Sequence, residues 1–214
     1  MNPKSVLISV FLLTLMMLTA SAQSKPTSSA PPSCHSPAPT SESKQPKMEI
    51  PDVAVLDQHG NKLHFYTDLI KEKTVAINFI FTNCTTICPP LAATFQRLQR
   101  EMGDRIGKDV HLISISVDPV TDTPERLKAW GAKFKAGPGW TFVTGDKEEM
   151  DKLLNALGAA VSKREDHTPA LIIGNDSKGV WTRTYGLAKI PQIVGVIQDV
   201  MAGKVEETSA EVKP

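Results

Sequence analysis

Val75 to Phe81 is a run of apolar residues broken only by Asn78, and it stops abruptly at Thr82-Asn83-Cys84. Continuous β-branched and aromatic residues without alternation predict a central strand covered on both faces. Cys88 follows Cys84 four residues on, then Pro89 and Pro90, then Leu91, Phe95, Leu98 and Met102. The i, i+4, i+7, i+11 spacing of that last set marks one stripe of a helix. Two prolines fit its start because first-turn amides have no helical partner, and Gly103 lies near its end. A buried strand therefore delivers two thiols to the first turn of a helix, and the chemistry is expected there.

The rest of the chain arranges itself around that unit. Val53 to Leu56, a turn over Asp57 to Asn61, and Lys62 to Phe65 read as strand, turn, strand, with His59 and His64 as exposed hairpin residues. Val110 to Val117 is a second central strand, ending at Asp118-Pro119. Thr123 as N-cap and Pro124 at the first helical position start a helix whose apolar face is Leu127, Trp130 and Phe134. Trp140 to Val143 is a short strand. Asp146 with Glu149 resembles a capping box for a helix that buries Met150, Leu153, Leu154 and Leu157. Ala170 to Ile173 and Val180 to Tyr185 form a hairpin about the turn Gly174 to Gly179, and Pro191 to Met201 is a last amphipathic helix. This alternation predicts an α/β sandwich, with parallel strands joined by helices on both faces and one antiparallel edge. Ligands collect at the carboxyl ends of such strands, where Cys84 and Asp118 both sit.

The ends of the chain bear on location. Lys4, the apolar run Val6 to Leu18 and Ala20-Ser21-Ala22 make residues 1–22 a signal peptide, with an uncleaved anchor as the alternative. The run is short of the about 20 apolar residues that a membrane span needs. No cysteine follows the small residues directly, so a lipoprotein anchor is not indicated. Residues 23–47 are a flexible Ser/Pro-rich linker. The linker contains Cys34-His35, read as a free thiol or an intermolecular disulfide in preference to an auxiliary soft-metal contact. Residues 48–203 form the domain and 204–214 a loose polar tail. Export to the periplasm, or to the outer face of the cytoplasmic membrane, would place the thiols where disulfides persist. With 24 basic and 23 acidic residues, net +1 and no charge block, neither nucleic acid nor an anionic membrane surface is indicated as a partner.

Thiols at a helix start meet unpaired amides that favour negative charge, which lowers a cysteine pKa from about 8.5 toward roughly 3.5–7.5. Thiolate is the form that attacks disulfides and binds metal; the bland alternative is an inert disulfide or a buried free pair. A third group decides between chemistries. His167, in Asp166-His167-Thr168-Pro169, lies in the loop entering the strand that opens at Ala170. A histidine there is more often a surface residue than a ligand, but a sheet of this order brings that loop beside the cysteine-bearing helix. Two thiolates and an imidazole suit Cu(I). Zinc would want a fourth ligand or an open water position, and only Asp118 offers itself.

The segments Phe79 to Pro89, Ser116-Val117-Asp118-Pro119, Asp122-Thr123-Pro124 and His167 together resemble the Sco/SenC family, in order and spacing, over Val53 to Met201. The resemblance implies a thioredoxin-like fold on the outer side of an energy-transducing membrane. It implies copper, as Cu(I) with Cu(II) left open, held by Cys84, Cys88 and His167. It implies delivery to the dinuclear copper site of cytochrome c oxidase subunit II, or to another exported copper or thiol protein. Asp118 resembles the family's acidic residue at the strand end, and Pro169 the proline, often cis, that lies against the reactive sulfurs. One departure stands out: Thr85 and Thr86 occupy positions where the family often has Pro and Asp. That keeps a thiol–disulfide oxidoreductase open beside the copper metallochaperone. A peroxidase is weaker, since no motif supplies the arginine that a peroxide-reducing cysteine needs.

Overall fold

The computed structural model of the protein describes residues 48–163 and 168–204. Seven strands form one mixed sheet in the order β2-β1-β5-β4-β3-β6-β7. They are β1 (Ala54–Asp57), β2 (Lys62–His64), β3 (Thr74–Ile80), β4 (His111–Ser116), β5 (Trp140–Thr144), β6 (Ala170–Asn175) and β7 (Val180–Tyr185). Four α-helices accompany them: α1 (Cys88–Met102), α2 (Pro124–Lys133), α3 (Lys147–Ala156) and α4 (Ile190–Ala202). The central strands β3, β4 and β5 run parallel to one another, and every residue of β3 is buried, as its nearly continuous apolar run requires.

Helices cover both faces. One face packs Ala76, Ile80 and Leu112 against α1, α2 and α4, with both cysteines in the same cluster. The other packs Val75, Ile77, Phe79, Ile113 and Ile115 against Met150, Leu153 and Leu154 of α3. The α1 stripe Leu91, Phe95, Leu98 and Met102 is buried throughout, and Gly103 with φ +53° follows the helix. At α2, the Thr123 hydroxyl accepts from the Arg126 N–H at 3.4 Å, with Pro124 in the first turn.

Four details differ from the sequence expectations. Antiparallel pairing occupies both sides of the sheet, since β1 runs antiparallel to β5 and β6 antiparallel to β3. The second strand stops at His64, and Phe65–Ile70 winds into a single π-helical turn. Asp68 accepts from the His64 N–H at 2.7 Å and Asp52 from the Thr67 N–H at 2.9 Å, so carboxylates replace ladder partners there. At α3, Asp146 caps the Glu148 N–H at 2.9 Å, but Glu149 turns to Lys152 at 2.6 Å instead of closing the box. No cis peptide occurs among the described residues, so Thr168–Pro169 is trans, the isomer favoured even before proline. The leader, the linker with Cys34, His167 and residues 205–214 of the tail lie outside the described residues.

Candidate functional site: a buried dithiol at the strand ends

The site begins where β3 and β4 end side by side. The last rung between them is the Val117 N–H on the Ile80 carbonyl at 2.9 Å. Beyond it the chain turns, with the Cys84 N–H on the Phe81 carbonyl at 3.1 Å, and α1 starts at Cys88. Only the second cysteine is therefore helical; the first stands on the turn before it. The Cys84 sulfur accepts the Cys88 N–H at 3.3 Å and lies 3.8 Å from the Thr86 hydroxyl. No residue offers a side-chain oxygen at the N-cap, Ile87, so a sulfur takes the first free amide of the helix.

This geometry makes the two thiols unequal. Burial pushes the Cys84 thiol up, but hydrogen bonds from the Cys88 thiol and N–H, and from Thr86, outweigh it and hold it below the ordinary thiol value. Burial also pushes the Cys88 thiol up, as do its donation to the Cys84 sulfur and the nearby charges of Cys84 and Asp122. Cys84 is 5% exposed and Cys88 fully buried, and no disulfide joins them. The arrangement pairs a thiol biased toward thiolate with a neighbour biased toward the protonated form. It can act as a nucleophile with a resolving thiol, or supply two soft donors to a metal after one more proton leaves.

Asp118 sits half-buried at the end of β4; its N–H donates to the Ser116 hydroxyl at 3.0 Å and its carbonyl opens a turn to Asp122 at 2.9 Å. The carboxylate that the fold drives into the interior is instead Asp122, fully buried. It accepts from the Thr82 hydroxyl at 2.6 Å, the Ser116 hydroxyl at 2.7 Å, and the Thr82 N–H at 3.1 and 3.2 Å. Sequence reasoning used Asp122 only as part of a motif. Its partner Thr82 lies 40 residues away, which no local pattern reveals. Pro169 accepts the Gly186 N–H at 2.6 Å through its carbonyl. A Cβ on Gly186 would stand 2.4 Å from Leu91 and 2.8 Å from that carbonyl, so glycine lets the loop into β6 approach the first turns of α1.

Among the described residues no three His, Cys, Asp or Glu side chains converge as a metal site; the third expected donor, His167, lies outside them. A cavity of about 560 Å³ between the β1–β2 turn and α2 contains neither cysteine.

Fold and site together define a thioredoxin-like α/β protein with an asymmetric, buried dithiol at the carboxyl ends of its central strands. Within that class the chain belongs to the SCO1/SenC family, whose model matches residues 42–202. It is 35% identical over 139 residues to the SCO1 protein homolog of Bacillus subtilis, covering 61% of this chain and 70% of that one. It is 32% identical over 109 residues to a Stutzerimonas stutzeri protein provisionally named as copper-binding, covering 51% of this chain and 52% of that one. Among solved structures it is similar to BsSco, described with a disulfide switch and as a member of the Sco family of cytochrome c oxidase assembly proteins. That likeness has a TM-score of 0.60 at 29% identity and covers 72% of this chain and 94% of BsSco.

Proposed function

We propose that the protein is an exported copper metallochaperone that carries Cu(I) on Cys84, Cys88 and His167. Its client is the dinuclear copper site of cytochrome c oxidase subunit II, or another exported copper or thiol protein. Residues 1–22 act as the leader or anchor and 23–47 as the tether. Copper is the cargo, and the donors present suit it: two adjacent sulfurs in apolar surroundings, one of them biased toward thiolate by the hydrogen bonds it accepts. The observation that carries the reading is the Cys88 N–H on the Cys84 sulfur, which prepares a soft anionic donor at the helix start.

The test is a titration of reduced protein with Cu(I) against a competing chelator, with stoichiometry read by native mass spectrometry. One copper per chain is expected. Cys84→Ala and Cys88→Ala lose it, and His167→Ala binds more weakly. Loading releases the Cys88 proton, so the apparent affinity falls as pH falls. A His167→Ala protein that binds Cu(I) as tightly as the parent sinks the three-ligand site.

A second reading, thiol–disulfide exchange, is favoured by the inequality of the two thiols. The Cys84 thiolate attacks a partner disulfide and expels one partner thiolate. Cys88 then gives up its proton and attacks the mixed disulfide, leaving a Cys84–Cys88 disulfide and a fully reduced partner. This route has no use for His167, so exchange that persists in His167→Ala while copper binding falls separates the two activities.

A further inference from the structure

Thr82, two residues before Cys84, joins two charged side chains. Its hydroxyl donates to the Asp122 carboxylate at 2.6 Å and accepts from the Arg126 Nε at 3.2 Å. The Thr82 N–H also reaches both Asp122 oxygens, and the other end of the Arg126 guanidinium donates to the Asn83 side-chain carbonyl at 2.6 Å. Asp122 is itself tied down, by the Ser116 hydroxyl at the end of β4 and by its own N–H on the Asp118 carbonyl. Asp122 and Arg126 flank the capped start of α2, so one end of that helix grips the two residues leading to Cys84.

A buried carboxylate with three donors could serve the fold alone. Arg126 argues for more. It is an exposed side chain whose hydrogen bonds go to Thr82 and Asn83, and exposed charge contacts add little to the stability of a fold. The Cys88 N–H···S contact at 3.3 Å needs the Cys84 turn held in place against the helix start.

We propose that Asp122 and Arg126 are positioning residues for the dithiol, acting through the Thr82 hydroxyl to hold the Cys84 sulfur over the first amide of α1. This rests on Cys84 and Cys88 being the working pair, and it holds whether the pair carries copper or exchanges disulfides.

The experiment is metal-free. Reduced full-length parent protein, Thr82→Val, Thr82→Ser and Arg126→Gln are treated with iodoacetamide at neutral pH. Peptide mapping of timed samples gives the alkylation rate at Cys84 separately from Cys34 and Cys88, and Tm is recorded alongside. Valine keeps the shape and loses the hydroxyl; serine keeps the hydroxyl. Alkylation at Cys84 is expected to slow by roughly three-fold or more in Thr82→Val and to stay near the parent rate in Thr82→Ser. Arg126→Gln is expected to slow it by about two-fold with Tm unchanged. Equal rates in Thr82→Val and parent, or equal slowing in the valine and serine variants, overturn the proposal. If Thr82→Val does not fold, Arg126→Gln carries the test, and an unchanged rate overturns it. Because no copper is present, failure here and failure of the copper titration are separate results.

Discussion

The two faces of the central strands bury different things. Toward α3, Val75, Ile77 and Phe79 of β3 and Ile113 and Ile115 of β4 form an all-apolar layer. Toward α1, the alternate positions hold Ala76, Asn78 and Ile80, and Leu112, Ser114 and Ser116. Fully buried polar residues of β3 and β4 therefore enter only the face that carries the cysteines, and in β4 they crowd its carboxyl end. Two of them are used: Ser114 accepts the Trp140 indole N–H at 2.9 Å, and Ser116 donates to Asp122. Asn78, fully buried, has neither amide atom hydrogen-bonded to the protein. One face is built for packing alone, while the other gives up packing near the site.

The sharpest way to break that contrast is to damage the apolar face. Ile77→Ala removes a fully buried side chain and is expected to cost about 2–5 kcal/mol in urea unfolding. The iodoacetamide rate of the folded variant should stay at the parent value. A changed rate would show that the faces are not separable. A smaller effect of opposite sign is expected across the sheet. Asn78→Val replaces an unsatisfied amide with a β-branched residue suited to a central strand, and should raise stability by about 1–3 kcal/mol. A loss of stability would mean that the amide is satisfied in solution, by a buried water for instance, and that this face is better packed than it looks.

Much of this was legible in the chain. The apolar run of β3, the α1 stripe and the Thr123-Pro124 start of α2 are local patterns, and each forms where its period or cap predicts. The cysteines were legible because a strand end and two prolines bracket them. What escaped depends on partners distant in sequence. Asp122 looks like any turn residue until β3 and β4 bring Thr82 and Ser116 to it. Phe65 continues the apolar alternation of a strand, and its N–H still meets the Val53 carbonyl at 2.9 Å, but beyond it the backbone turns, with the Asp68 and Asp52 carboxylates accepting the His64 and Thr67 N–H groups. The inequality of the two thiols was equally hidden: spacing suggests that both share the first helical turn, whereas one sulfur caps the other's amide.

The smallest expected effect tests the opposite end of the same strands. His111 begins β4, paired with Val75, a strand's length from the cysteines. Burial, reinforced by the nearby charge of Lys73, holds its imidazole below the ordinary histidine range. The unfolded chain therefore binds a proton here that the folded chain resists, so stability rises with pH across this window and falls as pH drops from about 8 toward 5. Asp52 and Asp57, whose hydrogen bonds hold them below the ordinary carboxylate range, act in a separate and more acidic window. Their contribution is present above the unfolded carboxylate pKa and is lost only as pH falls through the lower folded value. Urea unfolding at pH 8 and pH 5 should show the loss in the parent protein and a flatter profile in His111→Gln. The cysteine alkylation rate of that variant at fixed pH should match the parent's. An unchanged pH profile would assign the loss to other groups. An altered alkylation rate would instead mean that the amino ends of the central strands communicate with the site, which the division between packing face and working face does not allow.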